Sequence, residues 1–176
     1  MRRSGFVVCM ALAVASLAVC AEAAVYDVRQ YGAAGDGTAV DSGAINQAIE
    51  AAAKAGGGTV YFPAGEYLSY SIRLQSDIAL YLDAGATIVA AEPNEGQGYD
   101  RAEANEWGDQ YQYQDYGHSH WRDSLIWGEN LVNVSILGPG MIYGKGLVKW
   151  DSEKPDVGNK AVALKLCRNV IIRDVT

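Results

Sequence analysis

Cysteine is nearly missing from this chain. Only Cys9, Cys20 and Cys167 occur among 176 residues, and the first two fall in a stretch that reads as a leader. Without that leader a single thiol is left, so no internal disulfide can form and stability must come from core packing and backbone pairing. Basic residues are also in deficit, 14 Lys and Arg against 21 Asp and Glu, for a formal charge of −7. Loss of Arg2, Arg3 and Glu22 with the leader would take this to −8, which argues against broad binding of nucleic acid or of an anionic membrane. An acidic substrate stays open, because a local basic cleft can oppose the net sign. Only two histidines are present, His118 and His120. With Asp115 they would lack a third firm ligand, so no metal site and no cofactor are expected.

What is there begins with Arg2 and Arg3, an alanine-rich apolar run from Phe6 to Ala21, and the small residues of Ala21-Glu22-Ala23. This pattern predicts a signal peptide over 1–23 and a secreted or periplasmic product. Lipoprotein anchoring at Cys20 competes, but Val19 is a poor small residue to precede a lipidated cysteine. An uncleaved anchor competes too, although alanine is only mildly apolar.

The organising stretch is Gly57 to Tyr67: a glycine break, the strand residues Thr59-Val60-Tyr61-Phe62, and a Pro63-Ala64-Gly65 turn. Ahead of it, Gly32, Gly35 and Gly37 resemble a phosphate loop in spacing alone, since no helix with a suitable lysine or acid follows, and they read as a turn. One helix is predicted, over 41–55. Asp41 or Ser42 caps it, Ile45, Ala48, Ile49 and Ala52 fall on one face, Glu50 can pair with Lys54, and Gly56 ends it.

After that helix come short apolar runs parted by turns such as Asp83-Ala84-Gly85 and Gly138-Pro139-Gly140, too close together for crossover helices. Asp77-Ile78-Ala79-Leu80, Asn133-Val134-Ser135-Ile136 and Asn169-Val170-Ile171-Ile172 share one pattern: a turn-forming Asp or Asn, a β-branched residue, any residue, then Ile or Leu. Equivalent positions stack from coil to coil in a solenoid, so the chain is expected to be all-β, a right-handed parallel β-helix over 24–176. The helix would cap its N-terminal end. An antiparallel sandwich is the alternative. The last residues, Arg173 to Thr176, break off within a coil, so the fold is expected to be incomplete at the C-terminus.

Several stretches together, YDVRQYGAAGDGTAVDSGAINQAI, GGGTVYFPAGEY, IALYLDAGATIVA, ENLVNVSILGPGMIYGKG and CRNVIIRDV, resemble the N-terminal portion of polygalacturonase- and rhamnogalacturonase-like glycoside hydrolases, glycoside hydrolase family 28 of the pectin-lyase-like superfamily. The resemblance implies secretion and cleavage of pectic polysaccharide with inversion, which needs two carboxyl groups roughly 6.5–9.5 Å apart. The family's Asn-Thr-Asp, Asp-Asp, Gly-His-Gly and Arg-Ile-Lys signatures are absent, and Gly117-His118-Ser119 does not substitute for the third. No catalytic residue is therefore assigned within this chain, which is expected to be inactive alone. Plant cell-wall pectin or a related glycan is the expected partner, with no nucleic acid, no membrane after leader removal, and a monomeric state.

Substrate contacts are sought in an insertion at about 92–123, rich in aromatics and carrying His118, His120, Trp121 and Arg122. On one reading these rings and cations line a sugar cleft. On the other the aromatics pack on the solenoid and Arg122 pairs with Asp123 or Asp115. Lys145, Lys149, Lys154 and Lys160 form the other basic concentration, and Cys167 reads as a coil residue without redox duty. Two further function classes stay open: a calcium-assisted pectate-lyase-type enzyme, and a non-catalytic glycan-binding β-helix.

Overall fold

The structure, a computed structural model, describes residues 24–94, 96–104, 121–147, 158 and 160–176. Residues 1–23, where a leader with Cys20 is expected, and His118 and His120 of the insertion lie outside the described residues.

Among the described residues twelve strands wind as successive coils. Strands β1 (Val25–Asp27), β3 (Gly58–Phe62), β6 (Ile78–Leu82), β9 (Val132–Leu137) and β12 (Arg168–Arg173) stack in that order into one parallel sheet, sheet A. Strands β2 (Asp36–Val40), β4 (Gly65–Ser69), β7 (Ala86–Ala90) and β10 (Met141–Tyr143) form sheet B. The third, sheet C, holds β5 (Ile72–Arg73), β8 (Ser124–Glu129) and β11 (Lys160–Lys165). After the first coil, in which α1 follows β1 and β2, each coil visits A, then B, then C, and every strand pair named is parallel. This is a right-handed parallel β-helix.

Alternation sends every second side chain inward. Val60, Leu80 and Ile136 stack at successive rungs of sheet A, Tyr67 and Ile88 on sheet B, Ile72 and Ile126 on sheet C, all fully buried. Each such side chain stabilises the fold by roughly 1.5–3 kcal/mol relative to exposure. The Phe62 and Tyr67 rings meet edge-on inside the solenoid, and the Tyr67 hydroxyl donates to the Pro63 carbonyl at 2.8 Å.

The predicted helix is present as α1 (Ser42–Lys54), and its buried residues are Ile45, Ala48, Ile49 and Ala52. Its C-terminus closes with Gly56 at φ +94°, where Gly56 and Gly57 donate to the Ala53 and Ala52 carbonyls. Its N-terminus differs from the expected cap. Asp41 makes no side-chain bond to the helix; its carboxylate accepts from Ala34 and Gly35 N–H at 2.7 and 3.0 Å, groups that the preceding turn leaves unpaired. Ser42 Oγ accepts from Tyr70 N–H, and Asn46 donates to the Ser71 carbonyl and accepts from Arg73 N–H. Two helix side chains four residues apart thus bond the backbone from Tyr70 to Arg73, at and just before β5, the first strand of sheet C. That is how α1 seals the solenoid.

The Asp and Asn residues of the repeated pattern occupy one column. Asp77, Asn133 and Asn169 have φ of 63°, 59° and 55°. Their side chains bond to one another and not only to the local backbone: Asn169 Nδ2 donates to Asn133 Oδ1, and Asn133 Nδ2 to Asp77 Oδ1, both at 2.7 Å. An aspartate suits the first rung, which only accepts.

Candidate functional site

Side chains from three elements converge on the outer face of sheet C. Arg73 on β5 lies beside Trp127 on β8 in register, and Glu129 lies beside Lys165 on β11. The insertion adds Asp100 above the first pair. Its carboxylate takes Arg73 in a bidentate ion pair, with Nε at 2.7 Å, and also accepts from Trp127 Nε1 at 2.9 Å. The contact with Asp100 raises the Arg73 pKa above its ordinary value, against the opposing effect of partial burial. A fixed guanidinium thus stands beside a half-buried indole.

Trp121 and Arg122, two of the sequence-predicted contacts, are described here and differ in setting. Arg122 is exposed, donates to Glu129 at 3.0 Å and lies 5.7 Å from the Trp127 ring centroid. Glu129, on the outward face of β8, is thus an ion-pair partner of Arg122, and Asp115 lies outside the described residues. Trp121 is 7% exposed, with the Lys165 ammonium 3.6 Å from its ring centroid. Such a cation–π contact holds the ammonium against the face of the indole.

The insertion is anchored at both described ends. Tyr99 is buried with its ring edge-on to Tyr70, and its hydroxyl donates to the Ala91 carbonyl at 2.8 Å. Desolvation pushes the Tyr99 pKa well above the ordinary phenol value. At the other end Glu103 Oε2 accepts from the backbone N–H groups of Trp121 and Arg122, at 3.1 and 3.3 Å. Tyr99 and Trp121 are thus both buried and held by packing contacts.

Chemically, this face can bind and orient more readily than it can transfer protons. Asp100, Glu103 and Glu129 are each engaged as acceptors by groups of the protein itself. Arg122, Trp127 and Arg73 offer an aromatic surface flanked by guanidinium groups, suited to a sugar ring bearing a carboxylate. Among the described residues no group of three or more His, Cys, Asp or Glu side chains could hold a metal ion. Arg73, Asp100 and Trp127 were not singled out from sequence. The signal available was the outward position of Arg73 and Trp127 on strands whose register becomes known only once the insertion carrying Asp100 is spanned.

Comparison with known proteins supplies the remaining observations. The family described as rhamnogalacturonase A/epimerase, pectate lyase-like, matches residues 25–153. The alginate lyase 7 of Azotobacter vinelandii is 50% identical over 66 residues, which is 38% of this chain and 8% of that protein. An exo-poly-alpha-D-galacturonosidase of Dickeya chrysanthemi is 30% identical over 146 residues, covering 77% of this chain and 22% of that protein. The solved family 28 exopolygalacturonase of Yersinia enterocolitica superposes with a TM-score of 0.64 at 22% identity, over 88% of this chain and 35% of the other, which is a likeness of fold. The chain spans less than a quarter of the length of either of these two curated relatives.

Proposed function

Because the chain belongs to the rhamnogalacturonase A/epimerase, pectate lyase-like family, we propose that it is the N-terminal part of an exported glycoside hydrolase. The enzyme cleaves galacturonate-containing polysaccharide with inversion, its two catalytic carboxylates lying in later coils. The observation that carries this reading is the 30% identity to the Dickeya exo-poly-alpha-D-galacturonosidase across 77% of this chain. In this reading the outer face of sheet C is a wall of the substrate cleft. A uronate ring lies against Trp127, and its carboxylate exchanges with Glu129 at Arg122. His118 and His120 of the insertion contribute further contacts, and Trp121 acts by fixing Lys165. The protein works as a monomer outside the cytoplasm, on cell-wall pectin or a related glycan.

The test is product analysis with the complete coding region expressed. Polygalacturonate and rhamnogalacturonan should release reducing ends without ultraviolet absorbance, and proton NMR should show the inverted anomer first. A second reading, a polysaccharide lyase, is favoured by the 50% identity to alginate lyase 7 over 66 residues. Elimination would leave an unsaturated, ultraviolet-absorbing uronide and would overturn the hydrolase reading. Saturable binding without any product would point to a glycan-binding β-helix.

A further inference from the structure

The outer face of sheet A has a shape that the reading above does not use. Thr59, Ala79 and Ser135 stand at successive rungs in register and make a floor of small side chains along the solenoid axis. Two residues further along the strands, Tyr61, Tyr81 and Leu137 form a ridge, with the two rings 6.1 Å apart and inclined by 23°. Two residues the other way stands the ladder of Asp77, Asn133 and Asn169. The two walls are separated by four residues of extended chain, about 13 Å between Cα columns, with rungs about 4.8 Å apart. Floor and walls are half-buried or exposed throughout, Tyr81 reaching 36%.

We propose that this trough is a second glycan-binding site, which takes an extended neutral polysaccharide laid along the solenoid axis. One wall offers aromatic and aliphatic surface to sugar C–H groups. The other offers amides: each ladder bond uses one of the two N–H groups of an asparagine, leaving the second for a ligand hydroxyl. Thr59, Ser135 and the Tyr81 phenol add hydroxyls at the floor and ridge. Charge selects the class of ligand. Asp27, Asp77 and Asp83 border the trough, Asp83 is held ionised by the Tyr61 hydroxyl and Ala84 N–H, and the one cation in the ridge column, Arg173, lies at its far end beside Asp174. An acidic border repels uronates and tolerates hydroxyl-rich neutral chains. The site shares no residue with the outer face of sheet C, so it stands whether or not the hydrolase reading does.

Affinity gel electrophoresis of the whole protein tests it, with hydroxyethylcellulose as the neutral probe and polygalacturonate as the acidic one. The neutral polymer should retard the wild type. Tyr81→Ala should weaken that retardation about fivefold or more, an effect of the size expected for an aromatic contact. Ala79→Trp, which fills the floor without touching the core, should do the same, so a fold defect in one variant does not decide the result. Tyr143→Ala on sheet B should match the wild type. The proposal is overturned if the neutral polymer does not retard the wild type, if both trough variants run as the wild type does, or if Trp127→Ala abolishes the retardation instead.

Discussion

Sheets A and C show what repetition does and does not specify in a solenoid. On sheet A several outward positions have a like neighbour one rung away: tyrosine beside tyrosine, alanine beside serine, asparagine beside asparagine. On sheet C the neighbours are unlike, arginine beside tryptophan and glutamate beside lysine, and a residue from the insertion ties them together. Stacked likeness serves the fold. It also repeats one surface along the solenoid axis, whereas unlike, cross-linked neighbours cost side-chain entropy to hold in place and define a single local arrangement.

The comparison breaks most readily at Gly138, in the turn leaving sheet A. Its φ is +104°, and a Cβ there would lie 2.2 Å from the Leu82 carbonyl oxygen of the preceding coil. Gly138→Ala should cost about 3 kcal/mol or more, through backbone strain plus a displaced coil. Chemical denaturation should show a lowered midpoint, whereas a midpoint equal to the wild type would mean the coils are less closely stacked than described. On sheet C the corresponding cut is Asp100→Ala, which strands Trp127 Nε1 and the Arg73 guanidinium. Because that guanidinium is half exposed, the loss should be smaller, about 2 kcal/mol, and should be accompanied by weaker binding of oligogalacturonate.

At the N-terminal seal, Asn46→Ala removes two bonds, to the Ser71 carbonyl and the Arg73 N–H. It should cost about 1 kcal/mol and raise aggregation on heating, read by light scattering, as the strand edge is uncovered. The smallest effect should be a gain. Leu166 sits at φ +54°, 68% exposed, where its neighbour on the previous coil, Asn130, has φ +57°. Leu166→Asn should stabilise by about 0.5–1 kcal/mol, since asparagine tolerates that conformation better.

Much of sheet A was legible in the sequence, because its signal is local. Ile78-Ala79-Leu80 and its two equivalents announce strand, face and preceding turn within four residues, and the left-handed backbone found at Asp77, Asn133 and Asn169 matches that reading. The helix was legible for the same reason, down to its four buried residues. Strand β2 was not. Gly32, Gly35 and Gly37 read as a turn, yet Asp36–Val40 forms a strand although Gly37 interrupts it and its residues alternate weakly; only pairing with β4 makes it one. The 3-10 turn at Val28–Tyr31 was missed as well, being held by a local Asp27 bond that short propensity patterns do not mark. The sheet C constellation was hidden more deeply. Register pairs Ala79 with Ser135 across the insertion but Thr59 with Ala79 across a single short coil, so no fixed period would have put Arg73 next to Trp127. The sequence reading found the insertion and Arg122 but could not say what either faced.

The most direct measurement is an NMR titration of the protein with oligogalacturonate, following the indole N–H signals. Trp127 Nε1–H is bonded to Asp100 beneath the proposed sugar position, so its resonance should move saturably, and the movement should be lost in Arg122→Ala. Saturable binding that leaves the Trp127 signal where it was would contradict the assignment of sheet C as the face that meets the glycan.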